Sequence, residues 1–304
     1  MRSVRLLPAV ALALLAFAGC GQAGPQAPSV RPSLSPMPSP SVLPVIVSSE
    51  LGIGDNRIVV SLLDAATNQP VAAPDRALSV TFAGPGGATA GPVEGEFIWT
   101  IEDRVGVYAA EVAFPVAGQW RAEFRTSTPG TGAEIIPFEF DVKADTSVLR
   151  AGEAAPSVDT PTADDVGGDL ARLSTDEDPR AKFYETSVAD ALAVGEPFVV
   201  AFATPKFCAA AICGPTLNRL KPVADAHPDI TFINLEPYQL ELRDGQLQPV
   251  LDANQQLQAV PAVEAFGLLS EPYIFVIDGD GRIRAGFEAV FSDAEIERAL
   301  AGLG

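Results

Sequence analysis

The chain has 304 residues, enough for two domains with tails. Apolar residues make up 47% and charged residues 19%, so the chain can bury a core and is not disordered overall. Its 39 acidic against 20 basic residues give a net charge of −19, which excludes a nucleic-acid partner and makes contact with an anionic membrane face depend on an anchor. The lone histidine, His227, excludes a metal centre built from several histidines, and the two methionines, Met1 and Met37, exclude a methionine-rich copper surface. Three cysteines remain: Cys20, Cys208 and Cys213.

Arg2 and Arg5 precede an unbroken apolar run from Leu6 to Gly19. The run is shorter than the about 20 residues a membrane span needs, and it has the charge and length of a signal-peptide core. It ends Phe17-Ala18-Gly19-Cys20, which resembles the lipobox of bacterial lipoproteins, with Phe17 where leucine is usual. The resemblance implies that residues 1–19 are removed and that Cys20 is acylated, anchoring the protein to the bacterial cell membrane on its extracytoplasmic side. Cys208 and Cys213 are then an even pair in a disulfide-permissive compartment. Residues 20–49 read as a tether: seven prolines fall between residues 21 and 49, with several serines and almost no charge. As a flexible coil it spans about 30 Å, and fully extended roughly 90 Å.

Residues 50–143 read as all-β. Runs at 57–63, 78–82, 106–114, 119–125 and 135–142 alternate in part and are separated by Gly, Pro, Asn and Asp. In 119–125, Trp120, Ala122 and Phe124 fall on one face and Arg121, Glu123 and Arg125 on the other, the pattern of a half-buried antiparallel strand. The spacing predicts a β-sandwich. The run GVYAAEVAFPVAGQWRAEF resembles the immunoglobulin-like domains of exported copper-resistance proteins, over about forty residues. Those relatives hold copper through His or Met, and this segment has neither, so a spacer or docking surface is expected. Residues 144–182, with Pro156, Pro161 and Pro179, read as a connector that partly wraps the next domain.

From residue 183 to 304 strands and helices alternate. A short helix spans 187–194 with a Ser-x-x-Asp start and Gly195 as its stop. The continuous apolar run 198–203 predicts a strand buried on both faces. Residues 216–226 place Leu217, Leu220, Val223 and Ala224 on one helical face. A second buried strand covers 230–235, and the glutamine-rich stretch 239–260 reads as a surface insertion. A short helix comes next at 261–266, opened by Pro261. Strand 273–277, the turn Asp278-Gly279-Asp280-Gly281 and strand 282–287 predict a hairpin. Ser292-x-x-Glu295 opens a last helix with Ile296, Ala299, Leu300 and Leu303 inward.

This order is the thioredoxin topology. FATPKFCAAAICGP, with LLSEPYIFVIDGDGRI downstream, resembles a group of exported bacterial thioredoxin-like proteins with a Cys-x4-Cys motif, over about 120 residues. The fold class expected for the whole chain is therefore multidomain: an all-β immunoglobulin-like sandwich followed by an α/β thioredoxin-like domain. The resemblance implies that Cys208 and Cys213 form the redox-active pair and that Pro272 stands where thioredoxins keep a cis-proline beside it.

A helix N-terminus favours thiolate, the form that attacks a disulfide, and Lys206 could add to the effect. Five residues separate the two cysteines, an offset of about 140° on a regular helix, so Ala209–Ile212 must be loop or distorted helix for a disulfide to form. Two registers are open. In one, Cys208 attacks and Cys213 resolves. In the other, Cys213-Gly-Pro-Thr216 matches a thioredoxin Cys-Gly-Pro-Cys whose second cysteine became threonine. The catalytic expectation is Cys208, Cys213 and Pro272 exchanging disulfides with protein thiols or a membrane redox partner, with no cofactor and no metal. The alternative is a non-catalytic binding or scaffold lipoprotein stapled by a structural disulfide.

Two further resemblances are weaker. A Sco-like copper chaperone would need a histidine in the loop 267–271, which has none, and His227 reads as a surface cap. Thr204-Pro205 ahead of Cys208 resembles the peroxiredoxin Thr-Pro segment, but no arginine stands near Pro272. Glu236 and Asn234, ending the second buried strand, are candidates to lie near the cysteines and relay protons. Asp278-Gly-Asp-Gly lacks the helical twelfth-position glutamate of a calcium loop and reads as a turn.

Overall fold

A computed structural model describes residues 39–303. The expected signal segment 1–19, the expected acylation site Cys20 and the expected tether up to residue 38 lie outside the described residues.

Strand β1 (Val42–Ile46) falls inside the stretch expected to be tether, which corrects the 20–49 boundary. Val42 and Pro44 are buried and Leu43 and Val45 exposed, so the short segment alternates as a strand despite its proline. It pairs antiparallel with β2 (Gly54–Asp64), Val42 facing Asp64 and Ile46 facing Val60. Pro44 is tolerated because β1 is an edge strand. Then come β3 (Ala77–Ala83), β4 (Thr89–Glu94), β5 (Glu96–Ile101), β6 (Val105–Phe114), β7 (Gly118–Ser127) and β8 (Glu134–Val142). They form two four-stranded antiparallel sheets, ordered β1-β2-β6-β5 and β4-β3-β7-β8.

The sheets are sandwich-like. One apolar cluster joins Ile58, Val60 and Phe114 from the first sheet to Val80, Phe82, Trp120, Phe124 and Ile136 from the second. Along β7, Trp120, Ala122 and Phe124 are buried and Arg121, Glu123 and Arg125 exposed, as the alternation predicts. Phe82 and Phe140 meet Phe114 edge to face at 5.3 and 5.7 Å, and Trp120 meets it at 4.9 Å.

The connector from residue 144 to 182 has no strand and only short 3-10 turns. It lies along the mixed α/β region: the Leu149 N–H donates to Phe266 O, and Ala154 bridges Arg282. Gly267 marks the closest approach. Its φ is +67°, and a Cβ there would sit 1.8 Å from the Ser147 carbonyl oxygen, so no other residue fits.

The mixed α/β region holds α1 (Val188–Val194), β9 (Phe198–Phe202), α2 (Cys213–Ala226), β10 (Thr231–Leu235), β11 (Leu240–Arg243), β12 (Gln246–Pro249), α3 (Pro261–Ala265), β13 (Tyr273–Ile277), β14 (Ile283–Glu288) and α4 (Asp293–Ala301). Its main sheet is ordered β10-β9-β13-β14. Strands β9 and β10 run parallel, and β13 is antiparallel to β9 and β14. Every residue of β9 is buried, because helices cover both faces. Leu217, Leu220 and Ala224 of α2 and Ile296 and Leu300 of α4 pack on one face, with Val199, Ala201 and Val276. Val188 and Ala191 of α1 and Ala262 of α3 pack on the other, with Phe198, Val200 and Phe275. Expected caps are in place: Ser187 accepts from Asp190 N, and Ser292 and Glu295 form a capping box. The glutamine-rich insertion is itself ordered in part as the β11–β12 hairpin.

The outer face of the β2–β6–β5 sheet also packs inward. Val59, Ile98, Val107 and Ala109 enclose Val290, which comes just after β14. Polar ties flank this contact: the Ser49 N–H donates to both Glu288 carboxylate oxygens at 2.9 and 3.0 Å, and Arg219 of α2 donates to Trp99 O at 2.8 Å.

Candidate functional site

Cys208 lies in the turn after β9, and Cys213 is the first residue of α2, with Ile212 as N-cap. Between them the backbone is not helical. Cys208 N–H donates to Thr204 O, Ala211 N–H donates to Cys208 O, and Ala211 takes a φ of +56°. This turn brings the two sulfurs onto the same side despite their five-residue offset. Cys213 N–H donates to Cys208 Sγ at 3.4 Å. Both cysteines are free thiols here, near disulfide distance.

The two thiols have unlike surroundings. Cys208 is part-exposed and Cys213 is buried. The Cys213 thiol donates to Cys208, and against the effect of burial the N–H groups of Cys213, Ile212 and Ala210 add to it, lowering the Cys208 thiol to about 6. The same bond, in which Cys213 is the donor, pushes Cys213 far up; burial and the Glu271 carboxylate push the same way, while the Thr204 N–H opposes them. Lys206 is engaged elsewhere. It reaches Gln246 at 3.3 Å and lies over the Phe207 ring.

Pro272 is buried, directly precedes β13 and is joined to Glu271 by a cis peptide bond. Glu271 itself was not singled out from sequence, yet a carboxylate oxygen of Glu271 and both cysteine sulfurs lie within 4.8 Å of one another. Tyr238 Oη donates to Glu271 Oε2 at 2.7 Å. The available signal was position: Glu271 adjoins the proline expected beside the pair. Tyr238 lay in the segment leading into the presumed insertion and gave none.

Of the two residues expected beside the pair, Asn234 lies within β10 and Glu236 directly follows it. Thr175 donates to its Oε1 through N–H at 2.6 Å and Oγ1 at 2.8 Å. Burial raises its carboxyl, against hydrogen bonds from the Thr175 N–H and hydroxyl, with the Asp176 charge raising it further. Its Oε2 and Thr204 Oγ1 are buried without a hydrogen-bond partner among the described residues. Asn234 instead donates to Tyr184 Oη at 3.1 Å. His227 caps the end of α2 and pairs with Glu297 of α4 at 3.0 Å. Asp278 Oδ1 accepts from Asp280 and Arg282 N–H groups, as a turn requires.

No protein-family model and no curated protein matches the chain. Among solved structures, a DUF4426 family protein from Pseudomonas aeruginosa PAO1 is similar over 30% of this chain and 76% of its own, at 15% identity and a TM-score of 0.24. A likeness of that size carries no argument about fold or function.

Proposed function

We propose that this is a membrane-anchored, extracytoplasmic thioredoxin-like lipoprotein that exchanges disulfides with protein partners through Cys208 and Cys213. The observation that carries the reading is the asymmetry of the pair: a part-exposed Cys208 lowered to about 6 beside a buried Cys213 pushed the other way. That is the division between an attacking and a resolving thiol. The sheet order β10-β9-β13-β14, the pair between β9 and α2, and Pro272 ahead of β13 support the thioredoxin-like reading of this region. The two preceding sheets are read as immunoglobulin-like, and the anchor as lipid on Cys20.

In the exchange, the Cys208 thiolate attacks one sulfur of a partner disulfide. A mixed disulfide forms and the partner's first sulfur leaves as thiolate. Cys213 then loses its proton and attacks Cys208 Sγ, closing the Cys208–Cys213 bond and releasing the partner's second thiolate. Two electrons pass to the partner, whose thiolates take up protons from solvent, and the reverse sequence oxidises a partner dithiol. Pro272 shapes the groove in which the partner chain lies. Glu236, buried directly after β10, is the proposed acceptor of the Cys213 proton.

The test is a redox titration of the full chain against glutathione ratios, with the thiols of Cys208 and Cys213 counted by alkylation and peptide mass. A two-electron transition between about −120 and −270 mV is expected. A pair still closed below about −300 mV would leave a structural staple in a binding module.

A further inference from the structure

We infer that the reduced pair, completed by Glu271, is a three-ligand site for a thiophilic divalent cation, with Zn2+ as its probe. Cys208 Sγ, Cys213 Sγ and a Glu271 carboxylate oxygen all lie within 4.8 Å of one another. Tetrahedral zinc, with bonds of about 2.3 Å to sulfur and about 2.1 Å to oxygen, holds such atoms roughly 3.6 to 3.8 Å apart. Side-chain movements of about 1 Å or less close that difference. Two thiolates and a carboxylate are also a donor set that zinc accepts.

A second observation points the same way. Tyr238 Oη donates to Glu271 Oε2 at 2.7 Å, which holds the carboxylate in place and leaves it lone pairs for a ligand. Carboxylates that bind metals are held by such outer hydrogen bonds. Tyr238 is in turn seated by its backbone bridge to Ala259. The three donors come from separate places, the turn after β9, the first residue of α2 and the residue before Pro272. Only the folded chain assembles them. Three protein ligands leave the fourth position of a tetrahedral ion open to water or to an incoming thiolate.

Binding moves no electrons. Any proton still held on the two sulfurs passes to solvent, two sulfur–metal bonds and one oxygen–metal bond form, and the assembled site carries a charge of about −1. A disulfide offers no thiolate, so metal and disulfide exclude each other. The inference needs only the reduced pair, whether or not the pair turns over.

The experiment titrates Zn2+ into the reduced full chain carrying Cys20→Ser, against a chromogenic chelator of known affinity. Thiol-blocked protein is the control. One zinc per chain is expected on the reduced protein and none on the blocked one. Glu271→Gln should weaken binding at least tenfold, and Tyr238→Phe about tenfold. Zinc should also slow alkylation of Cys208 and Cys213 together, a readout that needs no substitution at the site. Absence of stoichiometric binding, or undiminished affinity in a folded Glu271→Gln protein, overturns the inference. Failure of the redox titration alone would remove the exchange reading and leave the zinc result standing.

Discussion

Arg57 on β2 and Glu295 in the first turn of α4 form a two-point ion pair, Nε to Oε1 at 2.6 Å and Nη2 to Oε2 at 3.0 Å. Both side chains are largely buried. The pair ties the first sheet of the sandwich to the last helix, and Glu295 also holds the Ser292 N–H of its own capping box. Burial raises the Glu295 carboxyl, but Arg57 and Ser292 more than offset it, so the net shift is downward.

Arg57→Ala leaves that carboxylate buried and unpaired, and should cost about 3 kcal/mol at pH 7. A lowered carboxyl contributes stability above its unfolded value of about 4.3, and the contribution is lost as pH falls through the folded value. Urea midpoints of the two proteins should therefore differ at pH 7 and converge in acid. A gap that is constant with pH would contradict the ion-pair account.

Alkylation of the reduced chain should label Cys208 first, with a rate midpoint near pH 6, while Cys213 stays slow throughout. Cys213→Ala removes the thiol donor but keeps the backbone N–H. The Cys208 midpoint should then move up toward the ordinary thiol range of about 8.5. Peptide mass spectrometry after timed quenching separates the two positions. An unmoved midpoint would assign the effect to the helix and turn N–H groups alone.

Glu236→Gln tests the buried acid beside Thr204. A raised carboxyl favours its neutral form in the fold, so its contribution is full below the unfolded value of about 4.3 and lost as pH rises through the folded value. The glutamine protein should gain on the natural one between pH 5 and pH 8. Denaturant titrations at the two pH values measure this. If Glu236 also takes the Cys213 proton, the substitution should slow disulfide closure while sparing the first alkylation of Cys208.

Much of this architecture was legible because it rests on local periodicity. The β7 alternation, the buried run of β9, the inward face of α2 and both serine caps came directly from residue order. The misses have separate causes. β1 carries Pro44 and continues a proline-rich stretch, and β4 contains Gly91-Pro92, so composition masked both strands. β5 shows no alternation because Phe97 packs on the sandwich core while Ile98 packs around Val290. A strand used on both faces loses its signature. At the site, the cysteines and Pro272 stood out by motif. Glu271 and Tyr238 meet only through the tertiary fold, thirty-three residues apart in the chain, and no spacing rule reports such a pair.

Arg219 lies on the same helix that Cys213 opens, and its grip on the Trp99 carbonyl makes the sandwich a splint for that helix. With α2 braced from outside, it is a poor candidate to slide toward Cys208 when the sulfurs join. The travel falls instead to the four residues 209–212, where Ala211 already holds a left-handed backbone. An attachment on the sandwich that loosened Arg219 would thus reach the cysteines mechanically, through the rod that one of them begins.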